Sequence, residues 1–171
     1  MALPIRAHAG ASIAWSAVHD TISLGTTAAT QFVDLTPRLE ELVWRHRLSC
    51  GLVNVQTRHT TTGVVVNEDE PLLMEDLRRT LQRVAPRLFG YAHDDFRRRR
   101  VNLVPGERVN GHAHCQALVL PSAASLNVAG GTLCLGRWQR VFLVELDGPQ
   151  SREVSVTLMG MVGASGPRPV A

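Results

Sequence analysis

Short strand patterns fill the last third of this 171-residue chain and follow one another with only brief connections. The runs cover residues 112–120, 132–135, 139–146 and 153–159, and a Gly148-Pro149 turn precedes the last of them. Strands with short connections pair antiparallel, because a parallel crossover needs a dozen or more residues. This region therefore predicts an antiparallel sheet as the core of the protein.

Two helical patterns and further strands precede this region. Strand patterns cover residues 19–24, 31–35, 52–58 and 64–66. One helix is expected to begin at Thr36-Pro37, a hydroxyl cap followed by proline, and to run to about residue 48. The second is expected over residues 71–84, where an apolar stripe recurs at helical spacing at Leu73, Leu77, Leu81 and Val84.

These patterns predict the α+β class, as one compact domain with an antiparallel sheet core and two main helices. The domain is expected over residues 19–160. Residues 1–18 are interpreted as an N-terminal extension and residues 161–171 as a flexible tail.

The composition limits the cellular compartments and the binding partners that are expected for this protein. Three cysteines form neither a disulfide framework nor a metal-type spacing, and no apolar run approaches the roughly twenty residues of a membrane span. A reduced, cytoplasmic protein without a membrane partner is expected. The net charge of +3 is local, since Arg97–Arg100 alone supplies more than the surplus. Without interleaved aromatic residues this run favours a mobile, solvated loop, and nucleic acid is not expected as a partner.

The segment from Asn110 to Gln116 carries the most unusual polar pattern. If it is a strand, His112, His114 and Gln116 share one polar face, while Cys115 lies on the opposite apolar face. Two imidazoles at i and i+2 of a strand can reach one metal ion. The alternative is a solvent-facing edge with two incidental histidines.

Three histidines stand out by position: His59 at a strand junction, His93 in the long loop over residues 90–111, and His114. Three imidazoles with an open fourth position are typical of a catalytic zinc site. The spacing alone leaves open whether the three converge.

The ordered motifs resemble those of the YjbQ family, also called secondary thiamine-phosphate synthases, over roughly residues 20–160. The motifs are His59-Thr60-Thr61, Asn67-Glu68 before a helix with Asp76, His93, Asn110-Gly-His-Ala-His114, Leu135-Gly-Arg-Trp138-Gln139 and Asp147-Gly148-Pro149. The resemblance implies a homotrimer with a polar cleft. It also implies a reaction that joins hydroxymethylpyrimidine diphosphate to a thiazole phosphate and releases pyrophosphate.

The candidate roles follow from this resemblance and from side-chain chemistry. The metal candidates are His59, His93 and His114, and the catalytic candidates are Glu68, Asp76 and His93. The candidates for binding a phosphorylated substrate are Thr60, Thr61, Asn67, Arg108, Asn110, Gln139 and Arg152. Simpler alternatives remain: the threonines would satisfy a bend, Glu68 would favour a helix N-terminus, Asp76 would face solvent and Trp138 would anchor a core or interface.

Two functions are compatible with these residues. The first is an enzyme with secondary thiamine-phosphate synthase-like activity on phosphorylated small molecules in a three-histidine cleft. The second is a non-catalytic protein that binds a metal or a phosphorylated metabolite. A divalent metal is expected as cofactor: zinc if three histidines hold it, magnesium if synthase chemistry requires a hard ion on diphosphate oxygens.

Overall fold

The computed structural model describes residues 14–163. Their regular elements, in chain order, are β1 Ala14–Gly25, β2 Gln31–Asp34, α1 Thr36–Arg45, β3 Leu48–Thr57, β4 Thr62–Glu68, α2 Pro71–Val84, α3 Gly111–Ala117, β5 Ala123–Ala129, β6 Thr132–Leu133, β7 Gln139–Glu145 and β8 Ser151–Val162. No helix among these residues is long and apolar enough to cross a membrane.

The strands form two antiparallel sheets, which confirms the predicted class. One sheet has the order β1-β8-β3-β5-β6, and the other has the order β2-β7-β4. The long strands β1 and β8 pair over their full length, from Ala14 opposite Val162 to Gly25 opposite Ser151. Strand β7 lies at the centre of the smaller sheet, hydrogen-bonded to β2 and β4.

The main core joins both sheets to α1. Val55 of β3, Val156 of β8 and Leu143 of β7 are fully buried in it, together with Leu39 of α1. A smaller apolar cluster covers the other face of β7, where Val144 and Leu146 pack with α2 and α3. Strand β7 is therefore buried on both faces, and its C-terminal end emerges between the two clusters.

The segment that begins at Gly111 is a helix and not the predicted strand. Helix α3 buries His112, Ala113 and Gln116, a spacing that fits one face of a helix. The side-chain amide of Gln116 donates through Nε2 to two backbone carbonyls at the end of α2, Leu81 O at 3.2 Å and Ala85 O at 2.9 Å. The alternation of histidine and alanine is the pattern of a strand, but the hydrogen bonds to α2 stabilise a helix in this segment. Cys115 is consequently exposed.

Other element bounds differ from the expected ones by a few residues. Strand β1 already begins at Ala14, inside the segment interpreted as an extension, and β8 continues to Val162. The rest of that extension and residues 164–171 lie outside the described residues. Helix α1 ends at Arg45, because the chain turns with φ 55° at Arg47 and enters β3. Thr36 accepts a hydrogen bond from the Val141 N–H (2.8 Å) instead of capping α1.

Candidate functional site

Two imidazoles lie side by side at the edge of α3. His93 belongs to a single 3-10 turn, Ala92–Asp94, and His114 belongs to α3. Their ring centroids are 4.6 Å apart with an interplanar angle of 60°. Burial and the neighbouring His93 hold the pKa of His114 below its ordinary value. Its ring makes no hydrogen bond to the described part of the chain.

The turn with His93 is held against α3 by Asp94. Its Oδ1 accepts hydrogen bonds from the backbone N–H groups of Asn110 (3.0 Å) and Gly111 (2.9 Å), where a carboxylate also complements the helix dipole. Gly111 permits this approach, since a Cβ at this position would lie 2.5 Å from the Tyr91 Cβ. Asn110 and Gly111 therefore allow the turn that carries His93 to pack against the start of α3.

Arg99 turns inward from the arginine run and supports the histidine pair from the side. Its guanidinium forms an ion pair with Glu107, donates to His93 Nε2 (3.1 Å) and donates to Asn102 O (2.7 Å). The Arg99 and Glu107 side chains are only 14% and 13% exposed. The expectation of a wholly mobile arginine segment is therefore wrong at Arg99, although Arg97, Arg98 and Arg100 are exposed.

A surface cleft of about 330 Å³ adjoins the pair. Within it Asn110 Nδ2 donates to Asp147 Oδ2 at 3.0 Å, and both residues are buried. Arg108 donates to the carbonyls of Pro149 (3.1 Å) and Gly148 (2.9 Å), so its guanidinium is already engaged. The residues that line the cleft are Asn102, Val104, Gly106, Glu107, Arg108, Asn110, Asp147 and Gln150.

A buried ion pair lies behind this cleft. Arg152 donates to Glu145 through Nε and Nη2, both at 2.6 Å, and also reaches Thr61 Oγ1 at 3.1 Å. Burial raises the pKa of Glu145, but the hydrogen bonds from Arg152 and the Asp147 N–H outweigh it and lower the pKa overall. Arg152 was expected to bind a phosphate, whereas in the structure its guanidinium forms an ion pair with Glu145.

His59 has a different set of contacts from the other two histidines. Its Nε2 accepts the backbone N–H of Glu153 at 2.8 Å, and burial and the Arg152 charge lower its pKa. Within residues 14–163 no group of three or more His, Cys, Asp or Glu side chains is placed to hold a metal ion. The structure therefore pairs His93 with His114 and does not assemble the three-histidine set that the sequence suggested.

Four other predicted site residues have partners other than the histidine pair. Asn67 and Glu68 face Arg140 and Gln139 across β4 and β7, at the opposite end of β7 from Glu145. Six residues of strand separate the two ends by about 20 Å. Gln139 accepts the N–H of its own turn residue Gly136 (2.7 Å), and Asp76 is 67% exposed and paired with Arg79. Of the two threonines, Thr60 is exposed and Thr61 is buried beside Arg152.

Several residues of the site were missed at the level of sequence: Glu145, Asp147, Asp94, and the Arg99–Glu107 pair. Glu145 carried a usable signal, because it interrupts the apolar run of β7 from Val141 to Leu146. A carboxylate in a strand buried on both faces requires a partner. The Arg99–Glu107 pair gave no comparable signal, since both residues lie in a loop rich in charge.

The fold and site define a class of small α+β proteins with two antiparallel sheets and a histidine pair beside a polar cleft. The profile of the family described as "UPF0047 protein YjbQ-like" matches residues 20–161, and the chain belongs to this family. A UPF0047 protein of Archaeoglobus fulgidus is 35% identical over 135 residues, which are 79% of this chain and 96% of that protein. The Bacillus subtilis UPF0047 protein YugU is 26% identical over 141 residues, 82% and 98% of the two chains.

Solved structures show the same architecture. A YbjQ-like protein of unknown function from Sulfolobus solfataricus P2 superposes with a TM-score of 0.75 at 30% identity, covering 86% of this chain and 99% of that one. A hypothetical protein from Aeropyrum pernix K1 gives a TM-score of 0.73 at 34% identity, with coverages of 84% and 98%. The resemblance noted from the motifs is thereby confirmed at the level of family and fold.

The Glu145→Gln variant should lose about 3–5 kcal/mol of unfolding free energy, because it leaves the buried Arg152 charge without its partner. Urea denaturation would measure the loss. The matched control is Glu153→Gln, which breaks the exposed ion pair with Arg58 and should cost about 0–1 kcal/mol. Equal losses in the two variants would show that the buried pair does not stabilise the fold.

His112 should make the stability depend on pH. Burial and the Arg87 charge lower its folded-state pKa, against the opposing effect of Asp147 and Asp94. The unfolded chain therefore binds more protons, and this stability is fully present above about pH 6.5 and lost as the pH falls through the folded-state pKa.

Unfolding free energies measured from pH 7.5 down to pH 5 should thus decline in the wild type and decline less in His112→Gln. The control is Thr80→Ala, which alters an exposed, uncharged side chain on α2 and should leave the wild-type slope unchanged. A His112→Gln slope equal to that of the wild type would contradict the assignment.

Proposed function

We propose that the histidine pair, His93 and His114, binds the phosphate end of a phosphorylated small molecule and supports thiamine-phosphate synthase-like transfer. The observation that carries this proposal is the 4.6 Å pair itself, in which His114 has no hydrogen-bond partner among the described residues. A partly buried imidazole with free ring nitrogens offers N–H groups to phosphate oxygens. The cleft beside the pair gives the rest of the ligand a place to lie.

The chemistry assigned to the pair is donation to the leaving pyrophosphate. In synthase-like transfer the pyrimidine and thiazole parts are joined and pyrophosphate departs, so negative charge grows on its oxygens. Donors directed at this developing charge stabilise the transition state more than the bound substrate. Because burial lowers its pKa, His114 is neutral near pH 7 and donates one N–H without an excess positive charge.

The second histidine is oriented by a cation. Arg99 donates to His93 Nε2, so this nitrogen accepts and the proton of the neutral ring resides on Nδ1. Arg99 thus favours the tautomer in which His93 presents a single N–H donor. Since three ligands do not converge in the described residues, the histidines are assigned hydrogen-bond donation to the pyrophosphate in place of zinc ligation.

A non-catalytic protein that binds a phosphorylated metabolite is the second candidate. One observation favours it: of the carboxylates expected to act as acid or base, Glu68 lies at the opposite end of β7 from Glu145, and Asp76 is 67% exposed and paired with Arg79. A pocket with donors and no adjacent free carboxylate would bind a diphosphate without assisting proton transfer at the other reactant.

We also propose a homotrimer that uses the outer face of the five-stranded sheet. Apolar side chains at one end of this face are exposed in the single chain, among them Trp15 (69%) and Leu52 (41%). Met161 and Met159 pair directly with Trp15 and Ala17 across β1 and β8 and extend the same apolar area. An adjacent pair of aromatic and aliphatic side chains is typical of a buried interface.

Light scattering should give a mass three times that of the 18.7 kDa chain. The variant Leu52→Lys places a charge in the apolar face and should shift the mass toward 18.7 kDa. The exposed α2 position provides the control Gln82→Lys, which should keep the trimer. A monomeric wild type across a wide concentration range would exclude this assembly.

We also propose that the protein resides in a reducing, cytoplasmic compartment, on the basis of its cysteines. Cys50, Cys115 and Cys134 are free and exposed thiols in the structure. Such thiols persist in compartments that keep cysteines reduced.

The functional proposal is tested with inorganic pyrophosphate as ligand and with the two synthase substrates. The wild type should bind pyrophosphate, and His114→Ala should weaken binding by about tenfold or more, the value of one hydrogen bond to a charged group. Formation of thiamine phosphate should fall by about 100-fold or more in the same variant.

His19→Ala, which alters an exposed histidine on β1, is the matched control and should behave as the wild type. Pyrophosphate binding without product formation would favour the non-catalytic candidate. Equal behaviour of His114→Ala and His19→Ala would refute both assignments at this pair.

A further inference from the structure

The cleft beside the histidine pair contains a buried acceptor without a partner. Asn110 is only 9% exposed, and its Nδ2 donates to Asp147 Oδ2 at 3.0 Å. A carboxylate accepts and does not donate, so this bond fixes which end of the amide faces Asp147. Asn110 Oδ1 is consequently left without a hydrogen bond in the structure. A buried polar atom in this state is costly, and it calls for a partner that the chain itself does not supply.

The positive groups of the cleft are already engaged. Arg108 donates to two backbone carbonyls, and its Nε lies 3.5 Å from Asp147 Oδ1. Arg99 is paired with Glu107 and bonded to Asn102 O. Two arginines and two carboxylates therefore compensate each other, and the cleft has no surplus cation for a phosphate.

The cleft is also contiguous with the histidine pair. Glu107, which lines it, has Oε1 at 3.9 Å from His93 Nε2. Asp147, which also lines the cleft, is among the charges that act on His114. One ligand can thus extend from the imidazoles into the cleft, where a volume of about 330 Å³ accommodates a single substituted ring.

We infer that this cleft binds the uncharged end of the ligand through an amino or amide N–H group donated to Asn110 Oδ1 and Asp147 Oδ1. The inference rests on the proposed function, because it assigns the phosphate end to the histidine pair and the neutral end to the cleft. The remaining lone pairs of Asp147 and the unpartnered Oδ1 of Asn110 are acceptors that belong to the same cleft, and acceptors favour N–H donors over anions.

The experiment uses the full-length protein and two isosteric probes, 4-aminopyrimidine and 4-methylpyrimidine. At pH 7.5 both are uncharged, and they differ by an amino group in place of a methyl group. Titration followed by ¹H–¹⁵N spectra should show the amino probe perturbing amides of residues 106–110 and 147–150, with about tenfold higher affinity than the methyl probe. Equal affinities, or perturbation confined to other residues, would overturn the inference without any substitution.

Two variants sharpen the test. Asn110→Ala removes one of the two assigned acceptors and should reduce the preference for the amino probe. Val104→Ala shortens an exposed side chain that lines the same cleft and carries no acceptor, so it should retain the preference. Retention of the full preference in a folded Asn110→Ala protein would overturn the inference. If that variant does not fold, the two-probe comparison in the wild type decides.

Failure here is distinguishable from failure of the proposed function. Inorganic pyrophosphate reports on the histidine pair and carries no N–H donor. Pyrophosphate binding that depends on His114, with no preference between the two pyrimidines, would reject the cleft assignment and keep the phosphate site. A clear amino preference without pyrophosphate binding would reject the proposed function and, with it, the placement of the ligand's phosphate end.

Discussion

The buried ion pair between Glu145 and Arg152 is the interaction on which the geometry of the site depends. Glu145 is fully buried and accepts from Arg152 Nε and Nη2, from Thr26 Oγ1, and from the N–H groups of Leu146 and Asp147. Taking two charges out of water is tolerated only when such bonds satisfy them. The pair therefore fixes the end of β7, the start of β8 and the backbone that leads into Asp147.

From this pair a continuous set of polar contacts reaches the cleft. Glu145 accepts a hydrogen bond from the Asp147 N–H, and the Asp147 carboxylate accepts one from the Asn110 side-chain amide. Asn110 in turn directly precedes the helix that carries His114. Asp94 then ties the turn with His93 to the same helix terminus. Each contact is short and at least partly buried, so the histidine pair is positioned by the interior and not by a free loop. This arrangement is what a preorganised binding site requires.

Family membership and fold are shown by the matched profile and the superposed structures, but a fold does not assign a reaction. The functional argument rests on particular groups: a histidine pair with free nitrogens, an arginine that sets one tautomer, and a neutral cleft with an unpartnered acceptor. The residues of the motifs divide between two ends of β7 about 20 Å apart. The His93–His114 end contains the buried polar network, and the Asn67–Glu68 end lies at the rim of the smaller sheet.

The sequence by itself determined the α+β class, the antiparallel pairing and the span of α2, and it marked His93, His114, Asn110 and Arg108 as candidate site residues. These follow from periodicity, short connections and ordered motifs, all of which are local in the chain. Tertiary structure alone decided that residues 111–117 form a helix, because Gln116 bonds to the end of α2, 31 to 35 residues earlier. It alone decided that His59 bonds to Glu153, that Arg152 is committed to Glu145, and that Arg99 turns inward. Gln116 and His59 bond to partners 31 to 94 residues away, which the packing of the helices and sheets brings together. The carboxylate partners of Arg152 and Arg99 lie only seven and eight residues away, and there the burial of the charges decides which neighbour each arginine meets.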